Sequence, residues 1–347
     1  MTVEMNRRRY GLDLLKLICM GMIILHHILL HGGLLTGFHY ASTSRKLFGL
    51  LNRFLFCAVN VYALISGYVL SRSSFRLSRL LELWLQVFFT GMMITAGFAL
   101  FSSVPLTNQD WLRARLPVIK DEYWYFTAYF GLYMLSPALN HLLNTLPRRI
   151  LSFSLAVLFF LFCIVPLFGV NPTLALERGY HIGWLMMLYL LGGWIRLYGC
   201  GRLRRFSLPV YVVCVLLTWR LRRFQEYTSP TVLLAAVALL VLFENFHLPR
   251  WLEKTVFALA PLTFGVYLLH DHPLIRVHFI MPFFRIFTYF STLKLILLLP
   301  LGFGGLYAVC LLLEFLRTKL FSLLRLPSLC QRIEKFLRKH LRLDATA

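Results

Sequence analysis

The chain has 347 residues, of which 59% are hydrophobic, 16% aromatic and only 14% charged. Soluble domains carry about 25% charged residues, so this composition excludes an ordinary soluble fold and indicates an integral membrane protein. The net charge of +22 also suggests nucleic acid, but the basic residues fall in short clusters between apolar runs. Membrane proteins distribute charge in this way, so the expected partner is an anionic membrane surface and not a nucleic acid.

Ten apolar runs approach the ~20 residues that a helix needs to cross a bilayer. They lie at about 12–33, 50–70, 80–103, 123–143, 150–169, 181–199, 208–222, 230–247, 255–271 and 293–316. The sequence therefore predicts an all-α integral membrane fold, a bundle of about ten transmembrane helices.

The basic residues predict the orientation of this bundle. With a cytoplasmic N-terminus, most basic clusters between the runs fall on the cytoplasmic side: Arg7 to Arg9, Arg72, Arg76, Arg79, Arg148, Arg149, Arg196, Arg202, Arg204, Arg205, Arg250 and Lys254. The positive-inside rule then places both termini in the cytoplasm. The expected location of the protein is the inner or plasma membrane. Three basic residues do not fit this orientation: Arg220, Arg222 and Arg223 fall on the outer side of the membrane, next to the shortest run.

The first run carries ionisable side chains, which indicate a functional site when they lie inside a membrane span. On a helix, Lys16 and His27 lie within roughly 20° of each other, Asp13 and His31 lie on the same side, and His26 falls about 80° away. One helix face thus presents an acid, an amine and two imidazoles. His27, Lys16 and Asp13 are the candidate catalytic residues, although a lysine also snorkels to the interface and an acid also caps a helix.

The chain from about Phe321 interleaves apolar and basic residues. This pattern predicts that residues 321–347 form an amphipathic cytoplasmic tail on the inner membrane surface. The seven cysteines are scattered and odd in number, so the sequence predicts no disulfide framework and no metal site.

Five segments, in order, resemble the acyltransferase family 3 membrane proteins. They are Tyr10 to Lys16 leading to His26-His27, Asn60 to Tyr68, Tyr123 to Tyr129, Leu132 to Pro137, and Phe264 to Arg276. The resemblance implies that residues 1–320 form a membrane acyltransferase domain. Such a domain transfers an acyl group, commonly acetyl from acetyl-CoA, to a sugar hydroxyl of a cell-surface polysaccharide or its lipid-linked precursor, with acyl-CoA as co-substrate and no further cofactor.

The family signature in the first helix is an Arg separated by ten residues from a His. Here Lys16 takes the place of the Arg, and His27 is the His. The charge is kept but the bidentate guanidinium is lost, so an ammonium would bind the donor at this point. Relatives also carry Arg-x-x-Arg after the second helix; Arg76 and Arg79 match it, although a register with Arg79 first and Glu82 last fits equally well.

Two further groups are candidate binding residues. Ser66, Gly67 and Tyr68 would approach the acyl thioester of the donor, with close helix packing through small residues as the alternative. The acceptor sugar would contact four residues near the outer side: His31, Trp124, Tyr123 and His270. Aromatic belts, helix packing and polar interfacial caps are the alternatives for these four.

Two other functions remain compatible with the sequence. A transporter or flippase would use Asp13, Lys16 and the histidines as a proton or substrate path, although no internal pseudo-symmetry is visible. A non-catalytic scaffold would explain the replacement of the signature Arg by Lys16.

Overall fold

A computed structural model describes residues 10–36, 43–169 and 174–340, which form helices and no strand. The α-helices are α1 Tyr10–His31, α2 Thr43–Leu55, α3 Ala58–Leu70, α4 Leu77–Phe101, α5 Asn108–Arg115, α6 Trp124–Thr145, α7 Arg148–Phe159, α8 Ile182–Tyr198, α9 Ser207–Arg220, α10 Pro230–Phe243, α11 Arg250–Leu259, α12 Thr263–His270, α13 Pro273–Ile275, α14 Met281–Arg285, α15 Thr292–Leu323 and α16 Leu326–His340. Every predicted apolar run overlaps at least one of them.

Among the described residues, six helical segments are long and apolar enough to cross a membrane. They are Tyr10–His31, Thr43–Leu70, Leu77–Phe101, Arg148–Phe168, Arg250–His270 and Thr292–Leu323. These segments confirm the prediction of an all-helical, multi-pass membrane protein. The count of ten spans and the cytoplasmic placement of the termini stay predictions, and Arg7 to Arg9 lie outside the described residues.

Two of the long segments are broken where proline removes a backbone donor. Pro261 lies in the 3₁₀ turn Ala260–Leu262, which joins α11 to α12. Pro166 lies in the 3₁₀ turn Val165–Phe168, which follows a π turn at the end of α7. The first of these breaks faces the central cavity described below.

Helix α1 lies at the centre of the bundle, in contact with α2, α3, α10, α11, α12 and α15. Most of its apolar side chains are buried, and Leu15, Cys19, Ile24 and Leu29 are inaccessible to solvent. A helix whose side chains are mostly apolar packs in this way, enclosed by other helices. The ionisable face of α1 is consequently held in the interior of the protein.

Glycines set the close approach of α3 to α8. A Cβ at Gly67 would overlap the carbonyl of Tyr189, and a Cβ at Gly192 would overlap the carbonyl of Leu64. Small residues at such contacts let helix backbones pack tightly inside a membrane. Gly67 therefore packs against α8, which is the alternative that the sequence left open for it.

The C-terminal region forms two helices that meet near residue 325. Helix α15 continues past residue 320 to Leu323, and α16 begins at Leu326 after a turn in which Arg325 has a φ of 55°. Helix α16 packs against α4 and α15. Residues 341–347 of the predicted tail, including Arg342, lie outside the described residues.

Candidate active site

A cavity of about 480 Å³ lies between α1, α3, α4, α6 and α12. It is lined by Lys16 and Arg79, near the N-terminal ends of α1 and α4, and by His31, at the C-terminal end of α1. Lys16 and His31 are about 22 Å apart along the helix axis, at 1.5 Å per residue. A substrate that contacts both ends of the cavity would therefore extend about 22 Å along α1.

Six of the residues predicted from the sequence line this cavity: Lys16, His27, His31, Ser66, Arg79 and Trp124. Lys16 Nζ donates to Asp13 Oδ1 at 3.1 Å. Ser66 already donates its hydroxyl proton to the Tyr62 carbonyl at 2.9 Å. The packing thus brings the predicted donor-side and acceptor-side groups to the wall of one cavity.

His27 contacts a second imidazole and a carboxylate from the end of α12. Its Nδ1 lies 3.0 Å from His270 Nε2 and 3.5 Å from Asp271 Oδ1. The rings of His27 and His31 are 5.4 Å apart, one helical turn along α1. The imidazoles of His31 and His270 and the carboxylate of Asp271 therefore surround His27.

The hydrogen bonds of His270 determine the tautomer of His27. His270 Nδ1 lies 2.7 Å from the Val266 carbonyl, which only accepts, so the proton of neutral His270 is on Nδ1. His270 Nε2 must then accept from His27 Nδ1. Neutral His27 is left with its lone pair on Nε2, the nitrogen that a general base needs.

Arg276 supports Asp271 next to this pair. Its guanidinium donates to Asp271 Oδ1 at 3.2 Å, and both residues line the cavity. The candidate ligand atoms of His27, His31 and Asp271 lie within 4.8 Å of one another, a spacing that fits a metal ion. A guanidinium on the same carboxylate opposes a second cation by charge repulsion, and the same geometry suits proton transfer. The absence of a metal site stays a prediction.

Three predicted residues lie close to the cavity wall without lining it. Asp13 is buried and pairs with Lys16. His270 contacts the cavity-lining His27 from behind. Tyr123 is buried and donates its hydroxyl proton to the Leu268 carbonyl at 2.8 Å, which ties α6 to α12. Each of these residues contacts or positions an element of the site.

Three other predicted residues lie away from the cavity lining. Gly67 packs against α8, as described above. Tyr68 is buried, and the Arg196 guanidinium lies 5.2 Å from the centre of its ring. The backbone of Arg76 contacts the Tyr133 hydroxyl at the start of α4. The donor-binding role of these three residues stays a prediction.

Six tyrosines of the cavity wall were not predicted as site residues, namely Tyr62, Tyr125, Tyr129, Tyr180, Tyr227 and Tyr267. Tyr125 and Tyr129 could have been found, because residues four apart share a helix face. The same rule applies to Tyr62, four residues before Ser66, and to Tyr267, three before His270. Tyr180 and Tyr227 had no such signal.

Aromatic rings gather around Trp124 at one end of the cavity. The ring of Trp124 lies 4.5 Å from that of Tyr180 and stacks on that of Tyr227 at 6.3 Å. The buried amide of Asn60 fixes this end by donating to the Tyr227 carbonyl at 2.8 Å and accepting from the Trp184 indole at 3.0 Å. Tyr180 and Tyr227 lie between helices, so only the tertiary fold places them here.

Glu122 and His272 form a buried pair just outside the membrane-spanning segments. Glu122 Oε1 lies 3.6 Å from His272 Nε2, and both side chains are at most 5% exposed. Burial raises the pKa of Glu122 to about 7, although Arg113 opposes this shift. Burial also lowers the pKa of His272 to about 4. Burial therefore disfavours the charged form of both groups.

The two shifts have opposite effects on stability as pH changes. Glu122 binds its proton more tightly in the folded state, so its contribution falls as pH rises from about 4.5 to 7. His272 binds its proton less tightly in the folded state, so its contribution falls as pH drops from about 6.5 to 4. Between about 4.5 and 6.5 the two contributions oppose each other.

Glu122→Gln should remove the contribution of Glu122 to the pH dependence of stability. We expect the melting temperature of the variant, relative to the wild type, to decrease as pH is lowered from 7 to 4.5, because only the His272 contribution remains. Thermal unfolding in detergent across this range measures the difference. Asp121→Asn, a change of the exposed neighbouring acid, should give a flat difference. A flat difference for Glu122→Gln as well would contradict the assigned shift.

Comparison with known protein families agrees with this architecture. Residues 9–315 match the family model described as an acyltransferase domain, so the chain belongs to acyltransferase family 3. No curated protein and no solved structure matches the chain. The protein is therefore a membrane acyltransferase, and the family resemblance inferred from the five segments is confirmed.

Proposed function

We propose that the protein is an O-acyltransferase that moves an acyl group, most simply acetyl, from cytosolic acyl-CoA to a hydroxyl of a cell-surface polysaccharide or its lipid-linked precursor. One observation carries this proposal: a base-competent His27 in a cavity that extends from Lys16 and Arg79 to His31 and Trp124. The basic end suits the phosphates of the donor. The aromatic and imidazole end suits a sugar.

In this mechanism His27 Nε2 takes the proton of the acceptor hydroxyl while its oxygen attacks the thioester carbonyl. Asp271, 3.5 Å from Nδ1, stabilises the imidazolium that results. The tetrahedral intermediate then collapses, the C–S bond breaks, and the imidazolium returns the proton to the CoA thiolate. The acyl group leaves on the sugar oxygen and His27 is neutral again.

The negative oxygen of the tetrahedral intermediate needs a hydrogen-bond donor. Tyr267 lines the cavity, and its buried hydroxyl has no acceptor for its proton among the described residues. It lies one helical turn before Asp271. A buried O–H without an acceptor is costly, so it indicates a donor held ready for a ligand. We assign oxyanion stabilisation to Tyr267.

Isotope transfer tests the function directly. Purified protein in proteoliposomes is given radiolabelled acetyl-CoA and fractionated envelope glycans. Label that enters glycan, and is released by mild base as an ester would be, supports the enzyme. Movement of a substrate across the membrane without label in glycan would support the transporter alternative instead.

Lys16 should act on the donor through its charge. Lys16→Ala should raise the KM for acetyl-CoA about tenfold or more, the effect expected from losing a charged hydrogen bond. Lys16→Arg should keep near wild-type kinetics, because the family signature has a guanidinium there. Lys254→Ala removes an exposed lysine away from the cavity and serves as the control. An Arg variant as impaired as the Ala variant would show that positive charge is not the property required.

Labelling of single cysteines tests the proposed orientation. In a Cys200→Ser background the remaining native cysteines are buried. A membrane-impermeant thiol reagent added to inside-out vesicles should label Ser73→Cys but not Lys120→Cys, since the first position is predicted to be cytoplasmic. Both positions are exposed, whereas Leu274 is buried and would not report. The opposite pattern would place Lys16 on the wrong side for a cytosolic donor.

A further inference from the structure

Helix α16 has one face packed against the protein. Cys330 and Glu334 are buried on this face, and Leu337 and Arg338 are partly buried beside them. Spacings of three and four residues place all of them on one side of the helix. The rest of its surface is directed away from the bundle.

The packed face holds the beginning of α4. Glu334 Oε1 accepts from the backbone N–H of Leu77, and Oε2 accepts from that of Ser78, both at 3.1 Å. Arg338 donates to Glu334 at 3.1 Å and to the Phe75 carbonyl at 3.2 Å. The first N–H groups of a helix have no partner within it and carry partial positive charge, so a carboxylate stabilises them. Glu334 thus caps α4 from a distant part of the chain.

The outward surface of α16 consists of two stripes. The apolar stripe is Leu329, Ile333 and Phe336, which are 50%, 39% and 59% exposed. The basic stripe is Arg332, Lys335 and Lys339, which are also exposed. At 100° per residue their centres lie about 90° apart around the helix. An apolar stripe beside a basic one is typical of helices that lie in a membrane interface.

We infer that α16 docks on an anionic lipid surface and thereby holds the N-terminus of α4 in place. The apolar stripe enters the boundary between headgroups and acyl chains, and the basic stripe meets the lipid phosphates. Charge complementarity selects anionic lipid, because the stripe carries three positive charges and no acidic residue. Glu334 couples the docking of α16 to the start of α4, because it accepts from the backbone N–H groups of Leu77 and Ser78. This inference does not depend on the acyl transfer proposed above.

Hydrogen exchange in lipid nanodiscs tests the docking. The full-length protein is placed in neutral phosphatidylcholine, or in the same lipid with a quarter phosphatidylglycerol. Each basic side chain near an anionic surface contributes about a fivefold preference, so amides of residues 328–340 should exchange up to roughly a hundredfold more slowly with phosphatidylglycerol. The amides of Leu77 and Ser78 should slow with them. Equal exchange in both lipids would overturn the inference.

Charge variants separate docking from general electrostatics. Combined Arg332→Gln, Lys335→Gln and Lys339→Gln should abolish the effect of phosphatidylglycerol. A control with Arg149→Gln, Arg250→Gln and Lys254→Gln removes the same charge from exposed positions on other helices and should keep it. Docking through the basic stripe is contradicted if phosphatidylglycerol still slows exchange in the α16 variant. It is also contradicted if the control variant loses the effect of phosphatidylglycerol equally.

Glu334→Ala tests the coupling to α4. In this variant residues 328–340 should still respond to phosphatidylglycerol, while Leu77 and Ser78 should exchange quickly in both lipids. The coupling is overturned if, in the wild type, phosphatidylglycerol slows exchange of residues 328–340 but not of Leu77 and Ser78. The wild-type comparison alone decides this point if a variant does not fold.

Discussion

His27→Ala should reduce acyl transfer by about 10²- to 10⁴-fold, because a positioned general base contributes that much to the rate. The loss should appear in kcat, and the variant should still insert in the membrane. His270 fixes the tautomer that leaves Nε2 of His27 basic, so His270→Ala should also reduce kcat. Steady-state kinetics with labelled acetyl-CoA at saturating acceptor measure both.

His26→Ala is the matched control for this experiment. His26 also lines the cavity, but its Nδ1 contacts Asn52 Oδ1 at 2.6 Å, so its ring is held by α2. Loss of this neighbouring imidazole should have a much smaller effect than loss of His27. The mechanism fails if the two variants exchange phenotypes or if both keep full activity.

Tyr267→Phe should lower kcat by about 10²- to 10³-fold, the typical cost of removing one donor to the oxyanion. The KM values should change little, because the negative charge develops only as the acceptor attacks. The ring stays in place, so packing is conserved. Initial rates over both substrate concentrations separate the two constants.

Tyr307→Phe controls for the loss of a buried hydroxyl. Tyr307 donates to the Leu17 carbonyl at 2.9 Å, so this variant loses a structural hydrogen bond without altering the cavity lining. It should lower the melting temperature and leave kcat near the wild-type value. If the wild type is active and Tyr267→Phe has the same kcat, Tyr267 does not stabilise the oxyanion. The proposed acyl transfer would not be affected by that result.

The sequence by itself determined the class of protein and the regions that form its main helices, and it predicted a candidate site centred on Lys16 and His27. Composition and apolar runs depend only on which residues occur and how far apart they are, and a bilayer requires helices of a fixed length. The spacing of Lys16 and His27 is equally local, since both lie on one face of α1. These features therefore needed no knowledge of how the helices pack.

The tertiary structure alone decided what surrounds these residues. His270 contacts His27 across 243 residues of sequence, and Asp271 and Arg276 arrive with it. Tyr180 and Tyr227 reach the cavity from connecting segments. Such contacts arise when helices pack, and no local period of a sequence encodes which face of one helix meets another. Likewise Gly67, grouped by sequence with the donor site, packs against α8, because backbone approach between two helices depends on both of them.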